Sequence, residues 1–255
     1  MVENTIETNL QSKENAVKAP KKATLWIKRG VPLAILAILA LLPVFQIVEG
    51  TLNYYLHMLM YVFLYVIMSS SWNVIGGFAG YVSLGHNVFF ALGAYFAGML
   101  FLATRISPFV SAPVAGLLSM GFGLLFGLIA LRTRGSTFII STIALVLLTA
   151  EIFDNWKLTG GTNGLAMPLI NLEGQFAKIP YYYYLLVVMV ICVVMTYFIK
   201  HSKFGLALRA ISQDETKAEV AGIPTRQYKI IAFGISGLFI GVAGAVWGSY
   251  LTYLR

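Results

Sequence analysis

The chain has 255 residues, 58% of them hydrophobic and 11% charged, with a net charge of +8 and a mean hydropathy of +0.80. Soluble domains carry about 25% charged residues, so a soluble globular protein is excluded; a transmembrane barrel is excluded too, because the apolar runs do not alternate. The positive charges lie in short segments between apolar runs, as membrane topology places them, which argues against a nucleic-acid partner.

Residues 1–30 are polar and carry Lys13, Lys18, Lys21, Lys22, Lys28 and Arg29. They lack the short basic region and small-residue cleavage site of a signal peptide, and read as a disordered cytoplasmic tail. Seven apolar runs follow in residues 31–255, at about 31–48, 52–71, 87–104, 108–131, 136–153, 181–199 and 230–251. Each is long enough to cross a bilayer as a helix. The expected fold is therefore all-α, a polytopic bundle of about seven spans surrounded by membrane lipid.

With the N-terminus in the cytoplasm, fourteen of the 18 basic residues fall inside. They are the six in the tail, Arg132 and Arg134, and Lys200, Lys203, Arg209, Lys217, Arg226 and Lys229. Only Arg105, Lys157, Lys178 and Arg255 fall outside. The positive-inside rule thus predicts a multi-pass protein with residues 200–229 in the cytoplasm. The four tyrosines Tyr181 to Tyr184 suit the outer interface, where a ring with an apolar body and a wet tip is at home.

Between the second and third runs, Trp72 to His86 reads W-N-V-I-G-G-F-A-G-Y-V-S-L-G-H. Its glycines weaken a continuous helix. It is either a polar turn on the cytoplasmic side or an interrupted helix beside a pathway, since irregular backbone at membrane depth is tolerated only inside protein or next to water. In the seventh run Gly234, Gly237, Gly241, Gly244 and Gly248 recur at spacings that place them along one helix face, a seam for close helix packing.

The sixth and seventh runs are joined by a polar insert, S-Q-D-E-T-K-A-E-V-A-G-I-P, Ser212 to Pro224. Ser212 and Glu215 have capping-box spacing, Asp214 and Glu215 suit the positive end of a helix dipole, and Gly222 with Pro224 ends the helix. A short helix over 213–221 is predicted, with Thr225 placed to cap the next. Upstream, residues 204–211 form a second short amphipathic piece that carries Arg209. So short a helix is marginal alone in water; it lies either on its own membrane domain or against a cytoplasmic partner.

Glu151 is the one acidic residue near an intramembrane position. Such carboxylates suggest function, although Glu151 also stands near interfacial water, within reach of Lys157. His57 reads as packed or hydrogen-bonded, not as a metal ligand, and His201 as interfacial. The lone Cys192 excludes an intrachain disulfide and suggests no metal site. Leu158 to Leu165 is glycine-rich but lacks the G-K-[ST] ending of a P-loop. No nucleotide, metal, cofactor or catalytic motif is present in the sequence, so no enzymatic activity and no bound cofactor are expected.

Three stretches together resemble one family, the LivM-type permease subunits of ABC importers for branched-chain amino acids. Gly80 to Tyr95, G-Y-V-S-L-G-H-N-V-F-F-A-L-G-A-Y, resembles the family's G-Q-x-S-L-G-H-x-x-F-F-x-x-G-A-Y, with Tyr81 in place of the usual Gln. Glu151 to Leu165 resembles its glutamate followed by L-T-G-G-x-x-G-L. Phe204 to Ile223 resembles its cytoplasmic loop, with Leu206 in place of a frequent arginine. The resemblance implies a second permease subunit, two cytoplasmic ATPase subunits and an extracytoplasmic substrate-binding protein, in the inner membrane of a prokaryote. It implies that the short helix couples to the ATPase through Arg209, Asp214, Glu215, Glu219 and Gly222, the acidic side chains facing that partner. It further implies a pathway lined by Gly80, Ser83, Gly85, His86 and Glu151. The family pattern continues beyond Arg255 with further spans. ABC permeases for urea, amides or other amino acids, an ion-coupled transporter using Glu151, or a non-transporting membrane scaffold are the alternatives.

Overall fold

The computed structural model describes residues 21–49, 53–133, 135–161, 164–166, 178–251 and 253–254. Two units are distinguished, residues 1–52 and 53–255. The first contains α1 (Lys21–Glu49), with Pro32 and Pro43 inside it. The expected tail is thus helical from Lys21; residues 1–20 lie outside the described ones.

The second unit holds α2 (Asn53–Asn73), which runs into a π-helical turn at Val74–Phe78, then α3 (His86–Thr104), α4 (Pro108–Ala130) and α5 (Ser136–Asn155). After α5 come α6 (Ile179–His201), α7 (Lys203–Gln213), α8 (Glu215–Val220) and α9 (Thr225–Leu251). Two-residue strands, β1 (Leu165–Ala166) and β2 (Tyr253–Leu254), pair antiparallel. Six helices among the described residues are long and apolar enough to cross a membrane, and α1 adds a shorter apolar stretch, Gly30–Val44. The protein is a multi-pass helical membrane protein, with span edges close to those the apolar runs predict. The larger shifts are in α1, which starts at Lys21 and not near residue 31, in the α2 span, which runs on to Phe78, and in α9, which starts at Thr225 and not near residue 230.

The axis of the second unit is α9: 78% of its most apolar window is buried, against 28–44% for the other spans. Its glycines explain why. A Cβ on Gly241 would crowd the Ser119 side chain of α4, one on Gly237 would lie 3.1 Å from the Phe89 ring of α3, and one on Gly244 would overlap the Phe90 carbonyl. Gly234 faces Leu124, and Gly248 is buried on the same helix. In lipid there is no hydrophobic drive between helices, so close backbone approach and dispersion hold them together. The seam's partners are therefore α3 and α4 of this same chain. On the other side α2 packs against α6, where Phe63 meets Tyr182 at 5.1 Å between ring centroids and Cys192 Sγ lies 3.4 Å from Ser71 Oγ. Cys192 is buried.

Candidate functional site: a polar joint between the short helix and the spans

The polar insert folds differently from its capping-box reading. Ser212 and Gln213 complete α7, whose own N-cap is Ser202, accepting from the Gly205 N–H at 3.1 Å. Asp214 takes an extended conformation (φ −160°, ψ 106°) that breaks the helix, and its side chain accepts the Lys217 N–H at 3.1 Å. This bond and the Lys217 ammonium hold the Asp214 carboxyl below its ordinary pKa. Asp214 is thus the cap of α8 in place of Ser212, and α8 spans six residues in place of nine. Gly222 sits at φ +84°, the left-handed conformation that ends helices and that a Cβ disfavours. The Ile223 N–H closes the turn on the Ala218 carbonyl at 3.0 Å.

The freed Glu215 turns inward, which corrects the expectation that it faces a partner. Its Oε1 accepts from Lys229 Nζ at 2.5 Å, and the two side chains are only 10% and 3% exposed. Tyr81 Oη donates to Glu215 Oε2 at 2.5 Å and accepts from Lys229 Nζ at 3.1 Å. The third lysine proton points at the Leu131 carbonyl, 3.5 Å away. Leu131 is the C-cap of α4, where an unpaired carbonyl and the negative end of the helix dipole favour a cation. Every proton of the ammonium has an acceptor, and the buried charge is balanced, as burial at this depth requires. The ring joins four places in the chain: α8, α9, the end of α4 and the segment after the π-turn.

Neighbouring groups extend the joint. Thr225 Oγ1 donates to Glu219 Oε1 at 2.7 Å and reaches Glu215 Oε1 at 3.4 Å. Its hydroxyl therefore ties α8 to α9 by way of two carboxylates. Arg209 on α7 is exposed and lies over the Phe78 ring at 5.6 Å. Gly80, at φ +74°, abuts Ser212: a Cβ there would lie 2.6 Å from the serine hydroxyl. A cavity of about 430 Å³ lies alongside, lined by Gly80, Tyr81, Ser136, Ser212 and Glu215 among others.

The segment after the π-turn carries on into the bundle. Tyr81 N–H bonds the Ile75 carbonyl at 3.1 Å, and Trp72 Nε1–H donates to the Ser83 carbonyl at 2.8 Å. Ser236 donates to the Phe233 carbonyl at 2.7 Å, so at its 3.1 Å contact it accepts from His86 Nε2–H. Nδ1 is then left to accept the Ser83 hydroxyl at 3.0 Å. Ser83 and His86 are both buried, and a Cβ on Gly85 would lie 3.0 Å from the Thr142 carbonyl. Their hydrogen-bond capacity is thus turned inward, onto α9. A single cysteine at Ser83, in a chain with Cys192→Ser, is expected to resist a charged maleimide, whereas one at the exposed Leu84 is expected to react. Equal labelling at the two positions would show that Ser83 faces water.

Glu151 is not part of this constellation. It is exposed near the end of α5, with Asn155 Nδ2 donating to its Oε1 at 2.7 Å. The side chain of Lys157 lies outside the described residues. His57 Nδ1 meets Tyr250 Oη at 2.8 Å, and its ring stacks on Trp247. His201 Nδ1 sits 2.9 Å from the Tyr197 carbonyl. No cluster of three metal-ligating side chains occurs among the described residues. The residues missed by sequence reasoning are Tyr81, Lys229 and Leu131. A visible signal was Lys229 itself, a lysine directly abutting the last apolar run.

The family described as "branched-chain amino acid transport system / permease component" matches residues 54–255. Among similar proteins, the high-affinity branched-chain amino acid transport system permease protein LivM of Escherichia coli K12 is 27% identical, over 88% of this chain and 58% of its own. LivM of Salmonella typhimurium LT2 is also 27% identical, over 73% of this chain and 50% of its own. LivH of Escherichia coli K12 is 22% identical, over 73% of this chain and 67% of its own. The chain spans a little over half the length of the LivM proteins it matches. No solved structure matches it.

Proposed function

The chain belongs to the family of branched-chain amino acid transport permease components, and from that premise we propose that it is one membrane-spanning half of an ATP-driven importer for leucine, isoleucine and valine. The reading rests on the match across residues 54–255. The relatives are named as two distinct permease proteins, LivM and LivH, which supports pairing with a second permease subunit. Two ATPase subunits and a binding protein complete the proposed assembly, with the joint and the N-terminus on the cytoplasmic side.

The joint supports the coupling role physically. A six-residue helix cannot persist alone in water; α8 is held by the buried Ala218 and by the Glu215–Lys229 pair. Outward it presents Val220, 86% exposed and in none of the spans, and Leu206 of α7 is also exposed. Apolar side chains exposed beyond the membrane suit a protein partner. In this proposal Val220, Asp214, Glu219, Arg209 and Gly222 form the outer, ATPase-facing side, while Glu215 forms the inner side. Gly80, Ser83, Gly85 and His86 shape the pathway wall from behind, and Glu151 stands at the outer mouth.

Labelled-leucine uptake in cells making the full set of subunits is expected to disappear when this chain is omitted; unchanged uptake would remove the assignment. Val220→Asp is expected to reduce the ATPase subunits that co-purify with the membrane domain, while the variant unfolds at the wild-type temperature. Full retention of the ATPase would show that α8 does not dock there.

A further inference from the structure

Two elements lead from the joint into the bundle. One is α9, which carries Lys229; the other is the non-helical segment 79–85, which carries Tyr81 and joins the π-turn to α3. The first is ill suited to move. Its backbone meets backbone on two neighbours: a Cβ on Gly93 of α3 would overlap the Gly241 carbonyl, and one on Gly123 of α4 would lie 3.2 Å from the Gly234 Cα. Close-packed contacts of this kind do not deform by small steps. The segment is held differently. Tyr81, Ser83 and Gly85 turn inward, with one outward residue between each pair, the alternation of an extended chain. Single polar bonds tie it to separate bodies. Tyr81 Oη donates to Glu215 of α8, the Leu84 N–H donates to Thr142 Oγ1 of α5 at 3.2 Å, and Ser83 meets His86 at the start of α3. Upstream lies the π-turn, an irregularity frequent at functional sites. Between the two stands Gly80 at φ +74°, a conformation that glycine adopts without strain, packed on Ser212 near the end of α7.

Resting on the reading proposed above, we infer that residues 80–85 are the moving relay of the permease. They pivot at Gly80 over the end of α7 and carry a displacement of α8 through Tyr81 to Ser83. The Ser83–His86 contact then opens and closes on a fixed frame of α3, α4 and α9. Hydrogen bonds can exchange partners during such a step, whereas the glycine contacts of the frame cannot part without loss of packing.

A chain with Cys192→Ser, Gly80→Cys and Ser212→Cys, in vesicles holding the complete importer, tests this. A Cβ at Gly80 lies 3.3 Å from the Ser212 Cβ, close to the roughly 3.5–4.5 Å of a disulfide, so a mild oxidant is expected to close the bond. Leucine uptake is expected to fall at least several-fold on closure and to return on reduction, with the ATPase subunits still bound. A second lock is the control. Ser71→Cys beside Cys192, where the native Oγ and Sγ are 3.4 Å apart, ties α2 to α6 and is expected to leave uptake unchanged. Uptake that survives the first lock, an equal loss from both, or failure of the first pair to join would overturn the inference. Should the reduced chain already be inactive, spin labels on Val82 and on Leu125 of α4 decide. Their separation is expected to change by several ångströms between the nucleotide-free and the nucleotide-trapped importer, and a constant separation would overturn the inference. If the unmodified importer carries no leucine, the proposed function falls, and the inference with it. If it does and the locked chain does too, only the inference falls.

Discussion

Lys229→Met is expected to destabilise the folded chain by about 3–5 kcal/mol, the usual cost of stripping one partner from a buried ion pair. Glu215 would be left as a charge only 10% exposed, without its Lys229 partner, while the Tyr81 hydroxyl still donates to it. Removing both charges is a milder change. Lys229→Met combined with Glu215→Leu is expected to recover most of the loss, because an apolar replacement avoids the desolvation that the ion pair has to offset. Tyr81→Phe should fall between wild type and Lys229→Met, at about 1.5–3 kcal/mol for a hydrogen bond to a charged group. Thermal unfolding of the four purified proteins in detergent checks the ranking. Equal midpoints for the single lysine variant and wild type would mean that the joint is open to water.

The second large effect is expected at the helix crossing. In Gly93→Val the new Cβ would overlap the Gly241 carbonyl oxygen of α9. Extra bulk in a close-packed core costs about 1–3 kcal/mol when side chains can yield. Here the obstacle is backbone, so α3 must move off α9, and little folded protein is expected to accumulate. Gly121→Val is the control, since nothing lies within 4 Å of a Cβ there and valine is the better helix former. Its yield and unfolding midpoint should match wild type. Comparable loss in both variants would mean that α9 does not pack as tightly as its glycines indicate.

The spans and the glycine seam were legible in the sequence because both are periodic properties of a single helix. Length and apolarity locate a span, and repeats of three and four locate a face. The joint was not legible, because it depends on residues brought together from Tyr81, Leu131, Glu215 and Lys229. Ser212 and Glu215 had capping-box spacing, yet the cap went to Asp214, because Glu215 found a buried cation 14 positions further along and Ser212 was already in α7. Local spacing describes what a side chain can reach within its own turn; a long-range ion pair overrides it. Tyr81 shows the same limit. It stands where the family pattern has glutamine, and its phenol completes the ring around Lys229. Ser83 and His86 stand out in the sequence as pathway residues; in the structure both are buried, Ser83 against His86 and His86 against Ser236.

In the proposed importer, the clamp of Glu215, Lys229 and Tyr81 on α8 passes ATPase motion to the spans, and the ratio of leucine translocated to ATP hydrolysed, in vesicles holding the complete importer, tests this. In Lys229→Met with Glu215→Leu, which is expected to fold, ATP hydrolysis should persist while leucine translocation per ATP drops several-fold. An unchanged ratio in that folded variant would contradict the claim.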